Sequence, residues 1–208
     1  MARMSPEDRR EAIVAATLAV MERRGVAATT VRDVAAELGT SSGLIHHYVD
    51  SMDDLLAEAF ARAAGADLAV TRAAVESASQ PVDKLRLFFD TYARAEDDIG
   101  MQLWLDAWAE AARRPALQRI SRQLNEDWHA LLASVVRDGV AAGDMACDDP
   151  DAAAWRILSL LDGLTLQVVA HGAVLSMEQV DAWSRAGAER ELALRPGVLG
   201  GVAAGQMR

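Results

Sequence analysis

Apolar residues recur along most of this chain at intervals of three and four, the period of a helix with one buried face, and alternation at intervals of two is nowhere sustained. The first such stripe is Ile13, Ala16, Thr17 and Val20; Ser5 suits its N-cap, Pro6 the first helical position, Glu7 and Asp8 the first turn, and Gly25 stops it after Arg24. A second, shorter stripe of Val31, Val34, Ala35 and Leu38 begins after Thr30 and ends at Gly39. Ser41 or Ser42 then caps a third helix whose inward residues are Ile45 and Val49. From Ser51 to about Ala78 a longer helix turns Leu55, Leu56, Ala59, Phe60 and Ala63 inward, until the Ser79 to Pro81 turn closes it.

Beyond Pro81 the spacing predicts helices over Val82 to Asp97, Met101 to Arg113 and Pro115 to Ala142, divided by Gly100, Pro115 and Gly143. The third carries Leu117, Ile120, Leu124, Trp128, Leu131 and Val135. The Asp148 to Pro150 turn opens a helix from about Asp151 to His171 with Trp155, Leu158, Leu161, Leu164 and Val168, and a last helix runs from Met177 to Leu194. The expected fold is all-α: a three-helix head over residues 1–50, a larger helical body over 51–195, and a mobile glycine-rich tail over 196–208.

Composition supports helices throughout, since alanine is abundant, aromatics are 5% and hydrophobic residues 51% of the 208. No segment reads as the ~20 consecutive apolar residues of a membrane span, and the N-terminus lacks an apolar signal core, so a cytoplasmic protein with no membrane contact is expected. The lone Cys147 excludes an intramolecular disulfide and a multi-cysteine zinc site. A net charge of −10 argues against nucleic acid at first. Its distribution says otherwise: from Met1 to Val49, Arg3, Arg9, Arg10, Arg23, Arg24 and Arg32 balance Glu7, Asp8, Glu11, Glu22, Asp33 and Glu37, so the head is neutral and the acidity sits in the body.

The run TVRDVAAELGTSSGLIHHYVDSMDDLL, from Thr30 to Leu56, is two short helices around a tight turn and the start of a third. Such a pair packs in many helical proteins, and it is also the unit that reads DNA by laying its second helix in a major groove. Facing outward on that second helix are Ser41, Ser42, Leu44, His46, His47 and Tyr48, short, polar or aromatic and weakly charged. The run resembles the signature of TetR-type regulators at Thr30, Ala35, Gly39, Ser41, Gly43, Ile45, Tyr48, Ser51, Leu55 and Leu56. It departs at Thr40, Val49 and Met52, the last standing where the family usually places a phosphate-pairing lysine. The candidate DNA-contacting set is Thr30, Arg32, Ser41, Ser42, Gly43, Leu44, His46, His47 and Tyr48. Ser42, Leu44 and His47 are expected at bases, His46 and Tyr48 at phosphate or sugar, and Arg32 offers a bidentate fork to guanine or phosphate.

The body resembles the BetI-like branch of that family at Leu103 to Pro115, around Trp128 and at Leu160 to Gln167. The resemblance implies a homodimer through the last two helices, a palindromic double-stranded DNA operator, a small-molecule effector pocket among the middle helices, and repression relieved by that effector. The Asp151 to His171 helix, apolar on more than one side, permits the dimer. Phe88, Tyr92, Trp104, Trp108, Trp128 and Trp155 with Asp162 form a candidate effector set, suited to a cation because ring faces attract positive charge. Filling core or interface is the commoner use of such tryptophans. Adjacent His46 and His47 point about 100° apart and have no third ligand nearby in sequence, so no metal is expected; no cofactor motif or nucleophile constellation is present, and no enzyme is expected. A helical adaptor that has lost DNA binding is the competing reading, on the strength of Met52 and the neutral head.

Overall fold

Side-chain caps fix where several helices of this computed structural model begin. The structure describes residues 5–93, 99–172 and 174–200. Among them are α1 (Pro6–Arg24), α2 (Val31–Glu37), α3 (Ser42–Tyr48), α4 (Met52–Glu76), α5 (Pro81–Ala93), α6 (Ile99–Ala111), α7 (Pro115–Ala142), α8 (Pro150–His171) and α9 (Met177–Glu191), with no strand. Ser5, Thr30 and Ser176 each close a capping box with the side chain three residues on, and Asp149 accepts from the N–H groups of Asp151 and Ala152. The expected helices are all present, and α7 has the predicted bounds. The last helix stops short of Leu194 because Ala193 turns the backbone to φ 50°. The expected continuation of α5 to Asp97 lies outside the described residues.

The described residues divide into two compact units, one drawn from 5–66 and 102–124, the other from 67–93, 99–101, 125–172 and 174–200. In the first, Ile13, Met21, Val34, Ile45, Leu55, Phe60, Leu103 and Leu117 belong to one buried cluster. The three head helices therefore share their core with α4 and with parts of α6 and α7. Two carboxylates tie these pieces together through backbone donors: the N–H of Ala116 donates to Asp53 Oδ2 at 2.9 Å, and that of Val26 to Asp106 Oδ2 at 3.2 Å. Gly25 is required beside Asp106 on two counts, since its φ is +80° and a Cβ there would lie 2.8 Å from Asp106 Oδ2.

In the second unit the core includes Leu85, Phe88, Phe89, Leu132, Val136, Ile157, Leu161 and Val180. α8 buries Ala153, Ala154, Ile157, Leu158, Leu161 and Thr165. Trp155, expected in the inward stripe, instead lies outside this face: it is 39% exposed and stacks on His129, with ring centroids 4.2 Å apart. Leu160 on α8 and Trp183 on α9 are exposed too. Trp155 and Leu160 give α8 a second apolar face outside that core. By length and composition alone α8 is long and apolar enough to cross a membrane, with Arg156 and Asp162 interrupting its apolar run.

The tail also differs from expectation. Residues 201–208 lie outside the described residues, but 196–200 are held. Glu189 accepts from the N–H groups of Gly197 at 2.9 Å and Leu199 at 2.8 Å, and Arg185 donates to the Leu199 carbonyl at 2.9 Å, leaving Leu199 1% exposed. Arg185 also donates to Asp90 on α5 and Asp181 on α9 and lies over the Phe89 ring, 5.3 Å from its centroid. Glycine content suggested a loose end, whereas the buried Arg185 and Glu189 supply the partners that a short turn needs. Removing the Glu189 carboxylate leaves the N–H groups of Gly197 and Leu199 without their acceptor, while Arg185 keeps Asp90 and Asp181. Glu189→Ala is expected to destabilise the fold by about 1–3 kcal/mol in urea denaturation, beyond the effect of an exposed carboxylate such as Glu178.

Candidate nucleic-acid interface and effector site

The α2–α3 pair is built from one cap, one glycine and one buried residue on the reading helix. Thr30 caps α2 through Asp33, whose carboxyl is held below the usual range by the Thr30 hydroxyl, with Arg24 assisting. Leu38 is the C-cap of α2, and Gly39 at φ +62° reverses the chain. α3 then carries Ile45 inward at 0% exposure, and Val49 follows it into the core. Ser41 is the N-cap residue, but its hydroxyl does not bond the helix.

That arrangement leaves Arg32, Ser41, Gly43, His46 and His47 exposed and Ser42, Leu44 and Tyr48 partly buried. All lie on α2, α3 or the turn between them. Thr30 is exposed as well, with its hydroxyl engaged in the cap of α2. The His47 and Tyr48 rings meet edge-on at 5.2 Å. Among the described residues no cluster of three or more His, Cys, Asp or Glu is placed to hold a metal ion.

The head's charges pair internally. Arg23 bonds Glu37 at 2.5 Å and Arg10 bonds Glu58 at 2.6 Å, while Arg24 pairs with Asp33 and Arg62 with Glu11. Among described arginines up to residue 50, Arg9 and Arg32 alone are in no ion pair. The sequence showed six cations balancing six anions; which cations remain for a ligand depends on contacts up to 48 residues apart, which periodicity does not reveal.

The effector candidates separate. Phe88, Tyr92, Trp128 and Asp162 come together in the second unit: the Trp128 ring meets Phe88 at 5.8 Å and Tyr92 at 6.2 Å, and the Tyr92 hydroxyl donates to Asp162 Oδ1 at 3.0 Å. Trp104 and Trp108 belong to the first unit, where Trp104 meets Phe60 edge-on at 4.9 Å and Trp108 at 5.4 Å. Trp155 stands apart on its His129 stack. Phe89, adjacent to Phe88, faces Arg185. Burial pushes the Asp162 carboxyl up to about 6 despite the Tyr92 hydrogen bond, which acts the other way. Burial likewise pushes the Tyr92 hydroxyl well above its usual range, with the Asp162 charge adding to it. Among the described residues Asp162 is in no ion pair, and its hydrogen-bond partner is the Tyr92 hydroxyl.

A neutral reading head with a helix-turn-helix, joined to a helical body with an aromatic and carboxylate cluster, defines a DNA-binding regulator class. The model of the tetR family of bacterial regulatory proteins matches residues 13–59, and that of the C-terminal region of BetI-type transcriptional repressors matches residues 81–193. This chain belongs to the TetR family of transcriptional regulators, with a BetI-type C-terminal region. The HTH-type transcriptional regulator BetI of Paraburkholderia xenovorans is 32% identical over 169 residues, spanning 77% of this chain and 82% of that protein. The BetI protein of Ectopseudomonas mendocina is 32% identical over 177 residues, spanning 82% and 87%. Among solved structures, a Pseudomonas aeruginosa protein described as a transcriptional regulator superposes with TM-score 0.79 at 31% identity, covering 90% of this chain and 92% of that one. A Saccharomonospora viridis protein solved in complex with choline shares the fold, with TM-score 0.81 at 23% identity over 89% of this chain and 98% of that one.

The position of Asp162 sets a pH dependence. Its folded carboxyl keeps a proton up to about pH 6, whereas an unfolded aspartate releases it near pH 4. The folded state therefore binds more protons across that window, and this group's contribution to stability falls as pH rises through it. Asp162→Asn should remove that component. Compared by denaturant titration, wild type is expected to lose stability relative to the variant by on the order of 2 kcal/mol between about pH 4 and 7; a constant difference across the range would contradict it.

Proposed function

We propose that this chain is a dimeric cytoplasmic repressor released from a palindromic operator by a small quaternary-ammonium effector. The observation that carries the effector class is the partly buried Asp162 carboxylate beside Tyr92, with Trp128 and Phe88 adjoining. Ring faces and a carboxylate together favour a cation that cannot donate hydrogen bonds, such as a trimethylammonium head. The choline held by the Saccharomonospora viridis protein, and the BetI relatives, point the same way. Regulation is the reading for the whole chain, rather than catalysis.

On the DNA side, Arg32, Ser42, Leu44 and His47 face the bases, with Ser41, His46 and Tyr48 at the backbone and Thr30 and Gly43 shaping the approach. Exposed Leu160 and Trp183 on α8 and α9 offer the apolar face of a twofold dimer, which sets the two reading helices about one DNA turn, ~34 Å, apart. The effector acts by favouring a conformer with a different spacing, through its difference in affinity for the two states.

Two measurements test this. Choline should raise the melting temperature and change tryptophan fluorescence, the uncharged isostere 3,3-dimethylbutanol should do neither, and Asp162→Asn should weaken choline binding by about tenfold or more. A response to the uncharged compound alone refutes the cationic reading. For DNA, Arg32→Ala should cost about 1–3 kcal/mol on a duplex selected by the wild-type protein. Among the described residues Arg9 and Arg32 are the head arginines in no ion pair; a dimer presents four of these, and the log–log salt slope of wild-type binding should be shallow, about −4.

A further inference from the structure

Three helices meet at one guanidinium behind the reading helix. Arg10 on α1 donates Nη1 to the carbonyl of Tyr48 at 2.8 Å, and donates Nε and Nη2 to the two carboxylate oxygens of Glu58 on α4 at 3.2 and 2.6 Å. Tyr48 is the last residue of α3. Its carbonyl is therefore one of those a helix leaves without an internal partner, at the negative end of the helix dipole. A planar fork can hold a carboxylate with one edge and a carbonyl with another; an ammonium cannot keep that geometry.

α3 has little else to fix its tilt. It is seven residues long, its N-cap side chain makes no bond to it, and its one buried residue is Ile45. Tyr48 packs against the same cluster and Val49 is buried just beyond it, but apolar contacts are non-directional, and the hydrogen bond at the C-terminal end adds an orientation they do not supply. The Arg10 and Glu58 side chains are 49% and 38% exposed, so the pair adds little to stability. Its value lies in direction.

We propose that Arg10 is a positioning residue for DNA reading, clamping the C-terminus of α3 to Glu58 so that the reading helix follows the orientation of the first turns of α4. The proposal rests on α3 being the reading helix. It assigns a role to an arginine whose position on a DNA-binding head would otherwise suggest a phosphate contact, and the two roles differ in electrostatic signature. Loss of a phosphate contact makes the salt slope shallower by about 1 per contact. Loss of a clamp lowers affinity and base discrimination at constant slope. Glu58 separates them further, because removing an anion beside a phosphate-contacting arginine strengthens DNA binding, whereas removing half of a clamp weakens it.

The test compares full-length wild type, Arg10→Met, Arg10→Lys and Glu58→Ala on a duplex selected from a random-sequence pool by the wild-type protein, over a salt series. Amide hydrogen exchange of α3 is measured on the free proteins. The clamp predicts that Arg10→Met and Glu58→Ala each weaken binding about tenfold with the wild-type slope, that Arg10→Lys recovers only part of the loss, and that α3 amides exchange faster in both with little change in melting temperature. A shallower slope in Arg10→Met together with tighter binding by Glu58→Ala would make Arg10 a phosphate contact and overturn the proposal. Unchanged exchange in α3 overturns it independently of DNA. If the wild type enriches no duplex, the reading function fails, while the exchange measurement still decides the clamp.

Discussion

A helix short enough to seat its N-terminal turns on base edges is too short to be stable alone, and this constraint shapes the first compact unit. Nucleation costs more than seven residues return, so the order in α3 comes from its neighbours. Ile45 supplies the attraction, buried in a cluster that reaches Leu55, Phe60, Leu103 and Leu117. Direction comes from polar ties: Asp53 to the start of α7, Asp106 to the loop after α1, and Arg10 to the end of α3. Each tie joins a side chain to a backbone group, which fixes position more tightly than one long side chain on another.

The same economy governs charge. Arginines that could have built a basic surface are spent on Glu37, Asp33, Glu58 and Glu11. Few of the described head arginines are therefore left to attract phosphate. Such a head tolerates an acidic body, because little long-range attraction is there to be cancelled.

The fold was largely legible in sequence because its signals are local. Ser5, Thr30 and Ser176 cap helices by bonds three residues long, Gly39 ends α2 through its own φ, and α7 announces itself through a stripe of six apolar residues. The helix-turn-helix was legible for the same reason, being one turn between two short helices. What sequence could not show is set by distance along the chain. Tyr92 and Asp162 lie 70 residues apart, Arg10 and Glu58 48, and Arg185 and Asp90 95. Trp155 misled because α8 has two apolar faces and helical period alone does not say which is inward. The segment after α9 misled because glycine permits a turn without revealing what will hold it; the signal available was the Arg185 and Glu189 pair, two charges at helical spacing on the inward side of α9.

The strap over residues 197–199 has a consequence for biosynthesis. Arg185 and Glu189 are buried, and the backbone groups that satisfy them leave the ribosome after α5, α8 and α9 have emerged. Until then the second unit carries two interior charges without their full complement of partners, so its packing must remain provisional while translation proceeds. The first unit waits too, since Leu117 completes a core begun at Ile13. Neither unit can mature as a nascent fragment of its early helices, and a ribosome stalled midway would hold out a chain whose hydrophobic surfaces are open to chaperones and proteases.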